Sequence, residues 1–297
     1  MVTVTQHIKL NGIDHHYYTR FIKPKTELWI FTVGMGDQAV MAQLGNTFLK
    51  AEDPELSRII LSLGASKVSE KPFKGDVNVW WAYDNNPDFI QHYLQHTTVK
   101  PDLALACSKR LFDALESAGL NTMLLPLAVG EDFKPLNLER EGYGYAGGDS
   151  KSVEQKQLML EPFLNRSDFE WHGCKASDEW FTETKLNEWY NRKRIVFGLS
   201  NLNCSYWHQI GNRIFETYAS GTPIIFPRHP GFMETFGFPQ PYPVDKIGDA
   251  ERLAYLIEKD YPKHVKTCEA LSAIIRSKHT YNDRLEKLFK RLKEMRK

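Results

Sequence analysis

Short apolar runs alternate with segments of helical periodicity along most of the chain, and this alternation predicts an α/β fold with parallel sheets. In the first half each apolar run ends near glycine, asparagine or serine, as buried strands often do. The predicted strands are residues 27–33, 77–83, 103–107 and 123–127. Ser108 is placed to cap a helix that ends near Ala118. This half is therefore predicted to be a Rossmann-like domain.

The same alternation resumes near Tyr143 and predicts a second Rossmann-like domain. Its predicted strands are residues 143–146, 169–172, 195–199 and 222–226, with a helix at 153–164 and later helices from about 249 and from 279. Leu285, Leu288 and Leu292 give the last helix an apolar stripe, which is typical of a packing face. The predicted organisation is a domain at residues 1–130, a linker at 131–142, a domain at 143–278 and a final helix at 279–297 that bridges the two halves.

The segment 194–227 reads as strand, loop, helix and strand, and it carries the most chemistry. The helix is predicted because Ile214, Phe215 and Tyr218 share one face, while Gly221 suits the position after its end. Arg213 and Glu216 lie three residues apart on a neighbouring face. Open α/β folds bind ligands at the carboxyl edge of the sheet, so this helix predicts a nucleotide site there.

Composition changes this picture only slightly. A chain of 297 residues with 42% hydrophobic and 25% charged residues is large enough for two domains. No run approaches the roughly 18 apolar residues of a membrane span, and the start has no signal-like pattern, so we expect a cytoplasmic protein. The net charge of +1 gives no general attraction to nucleic acid, although the tail from Lys287 is basic. The four cysteines lie far apart, which argues against a zinc site or a disulfide framework.

Three segments resemble the retaining GT-B glycosyltransferases, most closely their spore-maturation-protein-like branch. Arg213-x-Phe215-Glu216-x-x-Ala219-x-Gly221-x-Pro223 resembles the nucleotide-sugar signature of the second domain. Residues 125–135 resemble the passage between the two domains, and residues 276–284 resemble the start of the last helix. The resemblance implies two Rossmann-like domains that face a cleft, with the acceptor on the first domain and the donor on the second.

The resemblance also implies a reaction, the transfer of a sugar from a nucleotide-diphosphate sugar, such as a UDP- or GDP-sugar, to an acceptor hydroxyl. Glu216 is implied to bind both ribose hydroxyls, the alternative being a solvated helix glutamate. Arg213, with Lys151 or Lys156 behind the turn at Gly147, is implied to take up diphosphate charge. The candidate donor-binding residues are Gly147, Gly148, Lys156, Asn201, Asn203, His208, Gly211, Asn212, Glu216 and Gly231.

A metal-independent site is expected, because no Asp-x-Asp metal clamp occurs anywhere in the sequence. Fixed cations and the backbone N–H groups at the start of the helix would then receive the leaving-group charge. The chain departs from many retaining enzymes at one position, since His208 lies where they carry a first glutamate, eight residues before Glu216. The donor sugar and the stereochemical outcome therefore stay open.

Asp84 follows a predicted strand in the first half and is the first candidate for a general base, should the enzyme invert. The alternative is that Asp84 caps the helix starting at Pro87. Histidines at positions 15, 16, 92 and 96 are other candidate bases. The acceptor is open, and DNA is one class, because phage enzymes of GT-B architecture glycosylate hydroxymethylated bases. A nucleotide-sugar-binding protein without catalysis is the remaining alternative.

Overall fold

The computed structural model describes most of the chain and divides it into two compact units. The described residues are 4–10, 14–32, 38–64, 76–83, 88, 90–91, 95, 100–148, 153–173, 182–200 and 202–296. The first unit comprises Met1–Leu127, Tyr206–Gln209 and Tyr281–Lys297, and the second comprises Ala128–Ser205 and Ile210–Thr280. Residues 131–142, predicted as a linker, are thus part of the second unit.

The first unit contains a seven-stranded sheet whose strands follow one another in chain order. These strands are β1 Val4–Leu10, β2 Asp14–Ile22, β3 Thr26–Thr32, β4 Ser57–Leu63, β5 Val77–Ala82, β6 Leu103–Ala106 and β7 Thr122–Leu124. From β3 onward all neighbours are parallel, while β1, β2 and β3 pair in antiparallel fashion. The parallel strands that the sequence predicts are confirmed, and β1, β2 and β4 are additions to them.

The second unit contains a five-stranded sheet of order β12-β11-β10-β8-β9, in which all described pairs are parallel. Its strands are β8 Glu141–Ala146, β9 Phe169–His172, β10 Lys193–Phe197, β11 Ile224–Pro227 and β12 Pro243–Val244. Parallel strands all end at the same edge of a sheet. The segments that follow β8, β10 and β11 therefore meet at the carboxyl edge.

The α-helices among the described residues surround these sheets. In chain order they are α1 Gln38–Lys50, α2 Lys109–Ser117, α3 Val153–Met159, α4 Glu183–Arg192, α5 Leu202–Tyr206, α6 Asn212–Ala219, α7 Gly231–Phe236, α8 Asp249–Lys259, α9 Tyr261–Lys278 and α10 Tyr281–Met295. The helix predicted at 153–164 is shorter than expected, because Pro162 lies in a separate 3₁₀ turn, Glu161–Phe163. Proline has no N–H to continue an α-helix.

The core of the first unit lies around the two tryptophans of β5, which are fully buried. Consecutive strand residues point to opposite faces, so Trp80 and Trp81 pack on both sides of the sheet. The Nε1 atom of Trp80 donates to the carbonyl oxygen of Gly64 at 2.8 Å, and the Nε1 atom of Trp81 donates to the carbonyl oxygen of Leu125 at 3.0 Å. Each large ring thus enters the core with its polar atom satisfied.

The last helix, α10, packs on the first unit as its apolar stripe predicts. Leu285, Leu288 and Leu292 are each at most 1% exposed. Arg284 is buried beside them, and its guanidinium donates to the carbonyl oxygens of Pro126 at 2.7 Å and Leu127 at 3.2 Å. These carbonyl groups follow β7, so α10 fixes the end of the first sheet.

Candidate functional site

The candidate site of the second unit is built on α6, whose predicted position is confirmed. Gly211 precedes the helix with extended backbone, and Ile214 and Phe215 are buried. The helix ends at Ser220, and Gly221 follows with φ +70°, a conformation that glycine adopts without steric cost. The start of α6 therefore presents its first backbone N–H groups, together with Arg213, to the site.

Glu216 lies inside the second unit and is only 7% exposed. The hydroxyl of Tyr190, on α4, donates to its Oε2 atom at 3.3 Å. A carboxylate loses much of its hydration at such a position and needs donors in place of water. The alternative of a solvated helix glutamate is therefore wrong, because Glu216 is buried and accepts from Tyr190.

Arg213 is half-buried, and its guanidinium is held by several groups of the second unit. Its Nη1 atom donates to the carbonyl of Leu199 at 2.9 Å, and its charge lies 5.0 Å from the ring centre of Tyr145. Burial acts to lower the pKa of Arg213, but Tyr145, Tyr190 and Glu216 outweigh it and raise that pKa above its ordinary value. Arg213 therefore stays a cation at every physiological pH.

Gly147, directly after β8, lies against this cation. A Cβ atom at Gly147 would overlap Nη2 of Arg213 and approach the hydroxyl of Tyr145 to 2.7 Å. Its carbonyl accepts from Nε1 of Trp171 at 2.8 Å, and its N–H donates to the carbonyl of His172 at 2.8 Å. Glycine at position 147 thus makes room for Arg213, while the end of β9 holds the loop in place.

The other predicted site residues fall in different parts of the molecule. Lys156 lies on α3 and Asn203 on α5, and both are half-buried. Gly211 and Asn212 begin α6, and Gly231 begins α7 with its N–H donating to Nδ1 of His229 at 3.2 Å.

His208 belongs to the first unit, where its Nε2 atom lies 3.4 Å from Nη1 of Arg110. Its backbone has φ +58°, which is uncommon for a residue other than glycine. Asp84, Lys151 and Asn201 lie outside the described residues. The roles assigned to all of these residues stay predictions.

Two aromatic residues that the sequence reasoning missed complete the site, Tyr190 and Tyr145. Asn187 lies three residues before Tyr190 on α4 and Asn191 directly follows it, and all three are buried. Asparagines on a helix normally indicate exposure to water. Here both asparagines accept hydrogen bonds inside the protein, Asn187 from the hydroxyl of Ser220 and Asn191 from the N–H of Leu136, and local sequence gives no signal for this.

In the parts of the chain that the structure describes, no three His, Cys, Asp or Glu side chains are grouped so that they could hold a metal ion. No helix within these parts combines the length and the apolar character that crossing a membrane requires.

Residues 154–290, somewhat under half of the chain, match a family model described as "Glycosyl transferase-like". No curated protein matches the chain. The matched range includes α3 to α9, Glu216 and Arg213. The family match therefore includes Arg213, Glu216 and Tyr190, while Tyr145 and Gly147 precede it.

Several solved structures share the fold at low sequence identity. TarM from S. aureus, in complex with fondaparinux, α-GlcNAc-glycerol and UDP, gives a TM-score of 0.57 at 11% identity, covering 84% of this chain and 58% of its own. A glycosyltransferase from Rickettsia africae gives a TM-score of 0.51 at 13% identity, and the match covers 88% of this chain and 81% of that one. Sucrose-phosphate synthase from Thermosynechococcus elongatus gives a TM-score of 0.52 at 11% identity, and the match covers 87% of this chain and 79% of that one.

These similarities confirm the predicted fold class, since the chain has the two α/β domains of the GT-B glycosyltransferases. The chain spans less than two thirds of the length of the TarM chain that was solved with UDP. The resemblance to the spore-maturation branch stays a prediction.

Proposed function

We propose that this protein is a glycosyltransferase whose second unit binds a nucleotide-diphosphate sugar. The observation that carries the proposal is the buried Glu216 beside the fixed cation Arg213, one helical turn apart on α6. The glycosyl transferase-like match includes both residues, and TarM, which has the same fold, was solved with UDP.

Glu216 is proposed to bind the ribose of the donor. Its carboxylate is held in place by the hydroxyl of Tyr190, and the two oxygens of a carboxylate match a pair of neighbouring ribose hydroxyls as acceptors. The low exposure of this carboxylate strengthens each such hydrogen bond, because little water competes for it. An exposed glutamate would form weaker hydrogen bonds with the same hydroxyls, because water competes for it.

Arg213 is proposed to bind the diphosphate, together with the N–H groups at the start of α6. The leaving nucleoside diphosphate gains negative charge as the glycosidic bond breaks, and a fixed cation stabilises that charge without reorganisation. Lys151 or Lys156 is proposed as a second cation. We propose that these groups replace a divalent metal, because the chain has no Asp-x-Asp sequence.

Fewer residues are proposed to act on the acceptor substrate. Asp84 is the proposed general base if the reaction inverts the anomeric centre, and the acceptor is a hydroxyl of unspecified class, for which DNA is one candidate. Whether the transferred sugar is a hexose or a pentose stays open. A cytoplasmic location is the expectation that accompanies a nucleotide-sugar donor.

Binding of UDP and GDP to the Glu216→Ala variant tests the proposal. The variant should bind the preferred nucleotide about 1.5–3 kcal/mol more weakly than the wild type, the usual worth of hydrogen bonds to a charged group. Isothermal calorimetry measures this difference. Glu188→Ala removes an exposed glutamate of α4 and should bind like the wild type. Equal binding by all three proteins would remove Glu216 from the site.

Turnover in the presence of EDTA separates the metal-free mechanism from the general proposal. Hydrolysis or transfer of the preferred sugar nucleotide should continue after chelation, because Arg213 carries its charge without a metal. Loss of turnover that manganese restores would overturn the fixed-cation mechanism and leave the nucleotide site itself standing.

A further inference from the structure

Tyr190 connects Glu216, the carboxylate proposed to bind ribose, to helix α4 of the second unit. Its side chain is 1% exposed, and its hydroxyl donates to Oε2 of Glu216 at 3.3 Å. Burial and the nearby negative charge of Glu216 raise the pKa of Tyr190 well above its ordinary value. The hydroxyl therefore keeps its proton and acts as a donor to the carboxylate.

The backbone of Tyr190 is held where α4 meets the end of α6. Its carbonyl accepts from the hydroxyl of Thr222 at 2.8 Å. One turn earlier on α4, Oδ1 of Asn187 accepts from the hydroxyl of Ser220, also at 2.8 Å. Ser220 and Thr222 lie just after α6, the helix that carries Glu216. Hydrogen bonds thus join α4, which carries Tyr190, to the residues that directly follow α6, which carries Glu216. They fix the position of Tyr190 relative to Glu216.

The ring of Tyr190 has little freedom to move its hydroxyl. Trp189 meets it edge to face with ring centres 5.5 Å apart, and Phe133 lies at 6.3 Å. A tyrosine has only two side-chain torsions, and close packing restricts both. The hydroxyl is therefore a rigid donor, unlike a donor on a long flexible side chain.

We infer that Tyr190 is a positioning residue that orients the Glu216 carboxylate toward the donor ribose and thereby sets a preference for ribonucleotides. The inference rests on the proposed function. The hydroxyl of Tyr190 holds one carboxylate oxygen of Glu216 and so restricts the rotation of the carboxylate, which fixes the direction in which it can meet ribose hydroxyls. The same hydroxyl also interacts with Arg213 and Thr217.

Two pairs of ligands test this role. The first pair is UDP and 2′,3′-dideoxy-UDP, and the second is GDP and 2′,3′-dideoxy-GDP. We expect the wild type to bind the ribose form of its preferred nucleotide more tightly than the dideoxy form. Tyr190→Phe should weaken binding of the ribose form about tenfold and leave the dideoxy form unchanged, since only the former uses Glu216. Calorimetry on the purified full chain gives both constants.

Tyr218→Phe is the matched control, because it removes a hydroxyl from a fully buried tyrosine of α6 itself. Within the described part of the chain, that hydroxyl has no hydrogen-bond partner. The ribose to dideoxy ratio of Tyr218→Phe should equal that of the wild type. The double variant Tyr190→Phe with Glu216→Ala should match Glu216→Ala alone if Tyr190 acts through that carboxylate. A further loss in the double variant would show that Tyr190 acts through Arg213 instead and would overturn the inference.

Each outcome separates this inference from the proposed function. One outcome is that the wild type prefers the ribose form and Glu216→Ala loses this preference, whereas Tyr190→Phe keeps it. In that case the role of Tyr190 is overturned and the nucleotide site stands. Equal weakening of both ligand forms by Tyr190→Phe would indicate a merely structural role and would also overturn it. If the wild type binds neither UDP nor GDP, the proposed function fails, and the inference fails with it.

Discussion

A single half-buried residue, Arg213, is proposed to stabilise the charge that develops in the reaction. Its guanidinium is fixed by the Leu199 carbonyl, by the Tyr145 ring and by the space that Gly147 leaves. A cation held in this way need not reorganise when charge develops on the leaving group. Its contribution should therefore appear mainly in the chemical step.

The Arg213→Ala variant tests that expectation. It should lower kcat more than it raises KM, because leaving-group charge is greater in the transition state than in the bound donor. Steady-state kinetics with the preferred sugar nucleotide separates the two constants. Arg192→Ala removes an exposed arginine of α4 and serves as the control. A normal kcat in Arg213→Ala would contradict the assignment of this cation.

The sequence predicts Arg213 and Glu216 because both lie in one local motif, whereas it does not predict Tyr190. The contact of Tyr190 with Glu216 joins residues 26 apart in the chain. Local periodicity carries no information about which face of α4 meets α6. The same reason explains why Asn187 and Asn191, which look like surface residues, are buried.

At the scale of helices and strands, prediction succeeds where local signals are strong. Ser108 caps α2 as expected, accepting from the N–H of Leu111 at 3.2 Å. Strand β4 was missed, because a short apolar run cannot be distinguished from part of a buried helix by periodicity alone. The antiparallel β1 and β2 were missed, because alternation of strands and helices predicts only parallel pairing.

The cap of α2 gives a prediction about an element. Ser108→Ala should lower the free energy of unfolding by about 0.5–2 kcal/mol, because a helix N–H loses its acceptor. The Ser108 hydroxyl also donates to the carbonyl of Trp207, which would lose that donor. Chemical denaturation measures the change. Ser117→Ala, at an exposed position in the same helix, should change stability much less, and equal effects would exclude a capping role.

For the whole molecule, repeated strand and helix patterns in both halves predict two α/β domains, but they do not predict how the chain is divided between them. Residues 206–209 and α10 belong to the first unit although they follow the start of the second. Trp207 packs in the core cluster that includes Leu111, and the ring of Tyr281 meets Trp81 at 6.3 Å. Such contacts join distant parts of the sequence, so only the folded chain reveals them.

The packing of α10 gives the prediction for the whole molecule. Leu288→Ala should lower the free energy of unfolding by about 2–5 kcal/mol, because it leaves a cavity where a fully buried side chain stood. Leu256→Ala makes the same chemical change at a position that is 42% exposed, and it should change stability by less than about 0.5 kcal/mol. Denaturant unfolding of both variants gives the comparison. Similar small effects at the two positions would mean that α10 does not complete the core of the first unit in solution.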